Sequence, residues 1–86
     1  MAENAITIYA TSWCGDCLRA RRFFDKNNIP YKWVDIDRDE SGERFVFATN
    51  HGMRSVPTIV LNDGSILVEP NEAQLNKLLN SMLISR

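Results

Sequence analysis

Trp13-Cys14-Gly15-Asp16-Cys17 holds both cysteines of the 86-residue chain, set three positions apart between an apolar run and a helical pattern. The run before it, Ala5-Ile6-Thr7-Ile8-Tyr9-Ala10, is short and β-branched and predicts a buried central strand. After it, Cys17, Ala20 and Phe24 share one helical face with Phe23 alongside, while Arg19, Arg22 and Lys26 take the other. The helix is predicted to start at Cys14 or Gly15 and to stop at Asn27-Asn28, because Asn tolerates the left-handed backbone of a cap. A strand followed by a helix leaves the first thiol at the helix N-terminus, where unpaired N–H groups and the macrodipole favour an anion. Two thiols at this spacing close into a small ring and open again, so thiol–disulfide exchange is the leading expectation.

Working outward, Tyr31 to Asp37 alternates and predicts a second strand after Pro30. Strand, helix and strand then make a βαβ unit with parallel strands. Asp37 to Gly42 is polar and expected as a turn, followed by a short helix carrying Phe45, Val46 and Thr49 and ending at Asn50-His51-Gly52. Thr58-Ile59-Val60-Leu61 and Ile66-Leu67-Val68 flank Asn62-Asp63-Gly64-Ser65 and predict an antiparallel hairpin. Asn71 with Gln74 forms a capping-box pattern ahead of the apolar stripe Leu75, Leu78, Leu79, Met82 and Leu83. The expected order is β-α-β-α-β-β-α, an α/β domain spanning residues 1–86 with one mixed sheet and helices packed against it.

Composition excludes several classes. A net charge of -1 leaves no electrostatic footprint for nucleic acid or an anionic membrane. No apolar run reaches the roughly 20 residues needed to span a bilayer. The acidic start Met1-Ala2-Glu3-Asn4 lacks the basic region of a secretory signal, so the expected location is cytoplasmic, where structural disulfides are rare. A bridge over so short a loop returns little stability. A structural zinc site takes about four ligands, against two Cys and a distant His51. Redox chemistry therefore leads, metal or cluster binding comes second and a purely structural pair third; no metal ligands are assigned.

In exchange the attacking species is a thiolate. Cys14 is the expected nucleophile, and Cys17, one turn on, the resolver. Asp16 in the first turn disfavours a second negative charge beside it, so a reducing poise is expected. Trp13 could cover the disulfide, contact a partner or simply pack. Arg54 precedes Val56-Pro57 and could meet an anionic or sugar group of a thiol substrate. Trp33 is expected to pack on an edge strand, His51 to be a solvated cap-region residue, and Arg19, Arg21 and Arg22 to form a solvated face, with Arg21 pairing to Asp25. From the residues alone, Pro57 is a strand-start proline.

Taken together, Thr11-Ser12-Trp13-Cys14-Gly15-x-Cys17-Leu18-Arg19, Val34-Asp35-Ile36-Asp37, Val56-Pro57-Thr58 and Asp63-Gly64-Ser65 resemble the glutaredoxins, and within them the mycoredoxins. The resemblance implies a thioredoxin fold, a four-stranded mixed sheet flanked by three helices. It implies a cis Val56-Pro57 bond facing the thiols, with the Val56 backbone pairing to substrate as an added strand and Pro57 keeping metal off the pair. It further implies a thiol–disulfide oxidoreductase with no tightly bound cofactor and a low-molecular-weight thiol, mycothiol or glutathione, as cosubstrate. The expected partners are S-thiolated or disulfide-containing proteins, with a flavoprotein disulfide reductase as a further partner and a monomer as the working form. Three departures weigh against glutathione. Thr11 stands where glutathione users carry Lys or Arg, Gly15-Asp16 replaces Pro-Tyr, and Val68-Glu69-Pro70-Asn71 replaces a Gly-Gly and acidic segment. An uncharged sugar thiol of the mycothiol kind needs fewer charged anchors. The alternatives are a dithiol protein reductase resembling the NrdH redoxins and a non-enzymatic iron–sulfur carrier.

Overall fold

In the computed structural model, residues 6–84 are described, and the side chains of 6–82. The expected strand residue Ala5 and the stripe residue Leu83 fall outside those limits. The elements run β1 (Ile6–Ala10), α1 (Gly15–Lys26), β2 (Tyr31–Asp35), α2 (Glu40–Thr49), β3 (Thr58–Val60), β4 (Ile66–Val68) and α3 (Glu72–Ile84). The sheet order is β2-β1-β3-β4. β1 pairs parallel with β2, from Ile6 opposite Tyr31 to Ala10 opposite Asp35. Its other edge pairs antiparallel with β3, placing Ile8 opposite Ile59, and β3 pairs antiparallel with β4. β1 is therefore central, as its β-branched apolar run predicts.

Alternation along β1 sends Ile6, Ile8 and Ala10 to one face, where they are buried with Cys17, Ala20 and Phe24 of α1, Ile59, and Leu75 of α3. On the opposite face, Tyr9 stacks on Phe45 of α2 with ring centroids 4.6 Å apart. Helices thus cover both faces of the sheet, and the loops after β1 and before β3 meet at one end.

Three boundaries differ from expectation for identifiable reasons. β2 stops at Asp35 because β1 ends opposite it; the Ile36 N–H still donates to the Ala10 carbonyl, but Asp37 lies beyond the ladder. β3 likewise ends at Val60, where the Leu61 N–H turns to the Ser65 carbonyl to close the hairpin. α2 starts at Glu40, not after Gly42, because Asp39 caps it by accepting the Gly42 N–H at 2.9 Å and the Ser41 hydroxyl at 2.7 Å. Gly42 is inside the helix for a packing reason, since a Cβ there would lie 2.8 Å from Val34 Cγ1. The α1 end behaves as Asn-Asn predicts, with Asn28 at φ 58. At α3, Asn71 N–H donates to Gln74 Oε1 at 2.9 Å and Gln74 N–H to Asn71 Oδ1 at 2.8 Å, completing the reciprocal box.

Candidate active site

Cys14 is the N-cap of α1, with an extended backbone that turns the chain from β1 into the helix. Its Sγ accepts the Cys17 N–H at 3.2 Å, so the sulfur occupies the place that a Ser or Asp oxygen takes at other helix starts. A thiolate there receives a donated N–H and sits at the positive end of the helix dipole. The sulfur is half-buried and lies 3.9 Å from the Val56 carbonyl oxygen.

Cys17 is buried completely on the core face of α1. Burial first, and then its hydrogen bond with Cys14, push the Cys17 thiol from 9.0 up to about 12, with a Thr11 backbone hydrogen bond opposing the rise. At neutral pH it is a neutral thiol. One helical turn therefore carries two unlike sulfurs, and both are free thiols in this structure.

The Val56-Pro57 bond is cis, as the resemblance implies. The corner is tied on both sides. The Thr58 hydroxyl donates to the Ser55 carbonyl at 2.7 Å and accepts from Asn50 Nδ2 at 3.1 Å, while the Glu69 N–H donates to the Pro57 carbonyl at 2.9 Å. Pro57 and Thr58 are buried, leaving the half-buried Val56 backbone turned toward Cys14.

Trp13 is 69% exposed, which removes core packing as its role. Its indole N–H donates to Asp37 Oδ2 at 2.8 Å. Asp37 Oδ1 in turn takes Arg54 NH2, and Arg54 Nε donates to Glu43 Oε2 at 3.0 Å. Arg54, two residues before Val56, is spent on two carboxylates. The Arg54 guanidinium, and then the Trp13 N–H, hold the Asp37 carboxyl below the usual carboxylate range. In the sequence Asp37 marks only the end of Val34-Asp35-Ile36-Asp37, and Glu43 carries no signal. The first sits at the end of an alternating strand pattern and the second in a polar helix face, and nothing local links either to Arg54.

The remaining candidates stay outside this cluster. Arg21 does not pair directly with Asp25. It donates to the Tyr31 hydroxyl, which donates to Asp25, and its guanidinium lies 4.4 Å from the centroid of Trp33 on edge strand β2. Arg19 pairs with Asp16 at 3.1 Å. His51 is exposed at φ 56, past the end of α2. No group of three or more His, Cys, Asp or Glu side chains is placed to hold a metal among the described residues. Thr11 is fully buried, and its hydroxyl has no partner among the described residues.

A strand leading to Cys-x-x-Cys at a helix start, faced by a cis-proline corner, also defines what the chain is similar to. A family model for glutaredoxin matches residues 6–66. A Mycobacterium tuberculosis protein whose name assigns it to the glutaredoxins is 45% identical over 71 residues, covering 83% of this chain and 84% of the relative. Mycoredoxin 1 of Corynebacterium glutamicum is 36% identical over 70 residues, covering 81% and 86%. Among solved structures, the glutaredoxin of Methanosarcina mazei superposes with a TM-score of 0.73 at 22% identity, covering 90% of this chain and 79% of that one, which bears on fold alone. With its Cys14–Cys17 pair on a thioredoxin-like scaffold, the chain belongs to the glutaredoxin family and is a thiol–disulfide oxidoreductase.

Proposed function

We propose that the protein reduces mixed disulfides between proteins and a low-molecular-weight thiol, with Cys14 as nucleophile and a mycothiol-type thiol favoured over glutathione. The observation that carries the Cys14 assignment is the contrast between the two sulfurs. Cys14 accepts the Cys17 N–H at the helix tip, while burial keeps Cys17 protonated. In the first step the Cys14 thiolate bonds to the small-thiol sulfur of the mixed disulfide. The protein sulfur leaves with the electron pair and takes a proton from water. In the second, a free small thiolate attacks the small-thiol sulfur held on Cys14, forming the symmetric small-thiol disulfide and returning the Cys14 thiolate.

Trp13 and Arg54 border the substrate position, and the Val56-Pro57 corner supplies the backbone against which a substrate strand pairs. The preference for an uncharged sugar thiol rests on the absence of free charged anchors. Thr11 is enclosed, Arg54 is already paired, and Val68-Glu69-Pro70-Asn71 precedes α3. The glutathionyl and mycothiyl readings share one coarse statement, a small thiol as cosubstrate, and differ only in these anchors. The proposed working form is a cytoplasmic, single-domain monomer; separately, no described helix is long and apolar enough to cross a membrane.

A dithiol route is the second reading, favoured by the placement of Cys17 one turn from Cys14. There Cys17 gives up its proton and attacks Cys14, the small thiol departs, and the resulting disulfide takes two electrons from a flavoprotein disulfide reductase. The experiment that tests the main reading is intact mass spectrometry of Cys17→Ser purified from its native cell. The expected adduct is one mycothiol-type molecule on Cys14. A glutathione adduct overturns the thiol class, and an unmodified protein that has lost all activity overturns the single-thiol route.

A further inference from the structure

Four side chains that are distant in sequence converge beside the thiols. Asp37, in the turn after β2, accepts the Trp13 indole and the Arg54 guanidinium, and Arg54 also reaches Glu43 of α2. Two members of this chain of contacts are tethered along the backbone to the surroundings of the reacting sulfur. Trp13 adjoins Cys14, and Arg54 lies two residues before Val56, whose carbonyl is 3.9 Å from Cys14 Sγ. Half-exposed ion pairs of this kind add little to stability, so placement and charge are what the cluster contributes. Two carboxylates against one guanidinium leave a net negative charge on the rim where a small thiol must sit. They also hold the Arg54 guanidinium away from an incoming carboxylate.

We infer that Asp37, together with Glu43, is a specificity-determining residue that sequesters Arg54 and rejects carboxylate-bearing thiols at the Cys14 corner. The inference rests on the small-thiol reading above but is separable from the identity of the thiol. A carboxylate approaching the corner meets repulsion from the rim and finds no free guanidinium. An uncharged, hydroxyl-rich thiol meets neither penalty and can use the carboxylate oxygens as acceptors. Asp37 touches no reacting atom; it acts by its own charge on the rim and by holding the Trp13 ring and the Arg54 guanidinium.

The test uses one cysteine peptide prepared as its glutathione and as its mycothiol mixed disulfide. For wild type and the Asp37→Asn/Glu43→Gln protein, kcat/KM is measured on both. Asn retains an oxygen for the Trp13 N–H, so the substitution removes charge while leaving the indole its acceptor. The ratio of the two values is expected to move about tenfold toward the glutathionylated peptide, mainly through KM, and adding Arg54→Gln is expected to cancel the shift. An unchanged ratio in a protein with wild-type circular dichroism overturns the inference.

A second measurement needs no variant. Raising salt is expected to raise wild-type kcat/KM for the glutathionylated peptide and to leave the mycothiolated one flat, by screening the rim. Equal salt response for both peptides overturns the inference. A wild type that prefers the glutathionylated peptide overturns the mycothiol-type reading instead, while a shifted ratio in the variant still supports the role of Asp37.

Discussion

Cys14 and Cys17 are one helical turn apart and live in different media. Cys17 is enclosed by the wall that Ile8, Ala10, Ala20 and Phe24 build between α1 and the sheet. Cys14 follows Trp13, whose indole opens a wet cluster with Asp37, Arg54 and Glu43, a rim in which three of the four side chains are charged. The dry wall fixes where the helix lies, and hence where its N-terminal N–H groups point. In the reading proposed above, the rim then chooses what approaches. On that proposal stability and selectivity are held by separate residues, so each can be disturbed without the other.

The largest expected effect is on the rim side of that divide. Cys14→Ser should lower turnover of a mixed disulfide by about a thousandfold or more, since the other thiol, Cys17, is buried and held protonated and cannot take its place. Cys17→Ser should retain activity within about tenfold by the single-thiol route, as the external thiol completes the cycle. Parallel assays with a mycothiolated peptide read both. Equal loss in the two variants would erase the proposed inequality of the thiols.

On the wall, Phe24 is the largest fully buried side chain and meets Phe23 edge-on with centroids 5.5 Å apart. Phe24→Ala should cost about 3–4 kcal/mol in urea unfolding, the transfer of the ring plus the cavity left behind. If folded protein is recovered at low temperature, its Cys14 chemistry should persist there. Melting and activity that fall together at temperatures where the variant is fully folded would show that the wall and the rim are not separable.

The alkaline limb sharpens the contrast further. The Cys17 thiol titrates at 9.0 when unperturbed and at about 12 in the native protein, so between these values the unfolded chain releases a proton that the folded one keeps. Stability from this group is therefore complete below pH 9 and declines as pH rises through the window toward 12, at up to about 1.4 kcal/mol per pH unit. Urea midpoints across pH 8–10.5 should fall more steeply for wild type than for Cys17→Ala, whose absolute stability is lower. Parallel slopes would mean that Cys17 titrates normally and that the wall is wet.

How much of this was legible in the sequence follows the same division. The wall was readable, because burial on a helix and a strand follows fixed periods: Cys17, Ala20 and Phe24 on α1 and Ile6 and Ile8 on β1 are where the spacing puts them. So were the local devices, the Cys14 helix start and the Asn71–Gln74 box, which need only neighbours three residues away. The rim was not. Asp37 looked like strand because alternation continues past the point where β1 stops offering partners. Asp39-Glu40-Ser41 looked like a turn because capped helix starts are made of the same polar residues as turns. Arg54 was placed near the substrate without its two carboxylates, since a contact between loops 17 residues apart leaves no periodic trace.

The smallest expected effect is the finest test of the division. Trp13→Phe keeps an exposed aromatic ring beside Cys14 and removes only the N–H that Asp37 accepts. Because Trp13 is 69% exposed and Asp37 keeps Arg54, unfolding free energy should change by less than about 0.5 kcal/mol. The ring loses its tether, however, and a ring free to swing spends less time bordering the sulfur. Turnover of the mycothiolated peptide should fall by about threefold, through KM and not kcat, an energy below 1 kcal/mol and typical of one neutral-to-charged hydrogen bond on a wet surface. A stability loss of 2 kcal/mol would place Trp13 with the wall, and an unchanged KM would make the Trp13–Asp37 bond a bystander to recognition.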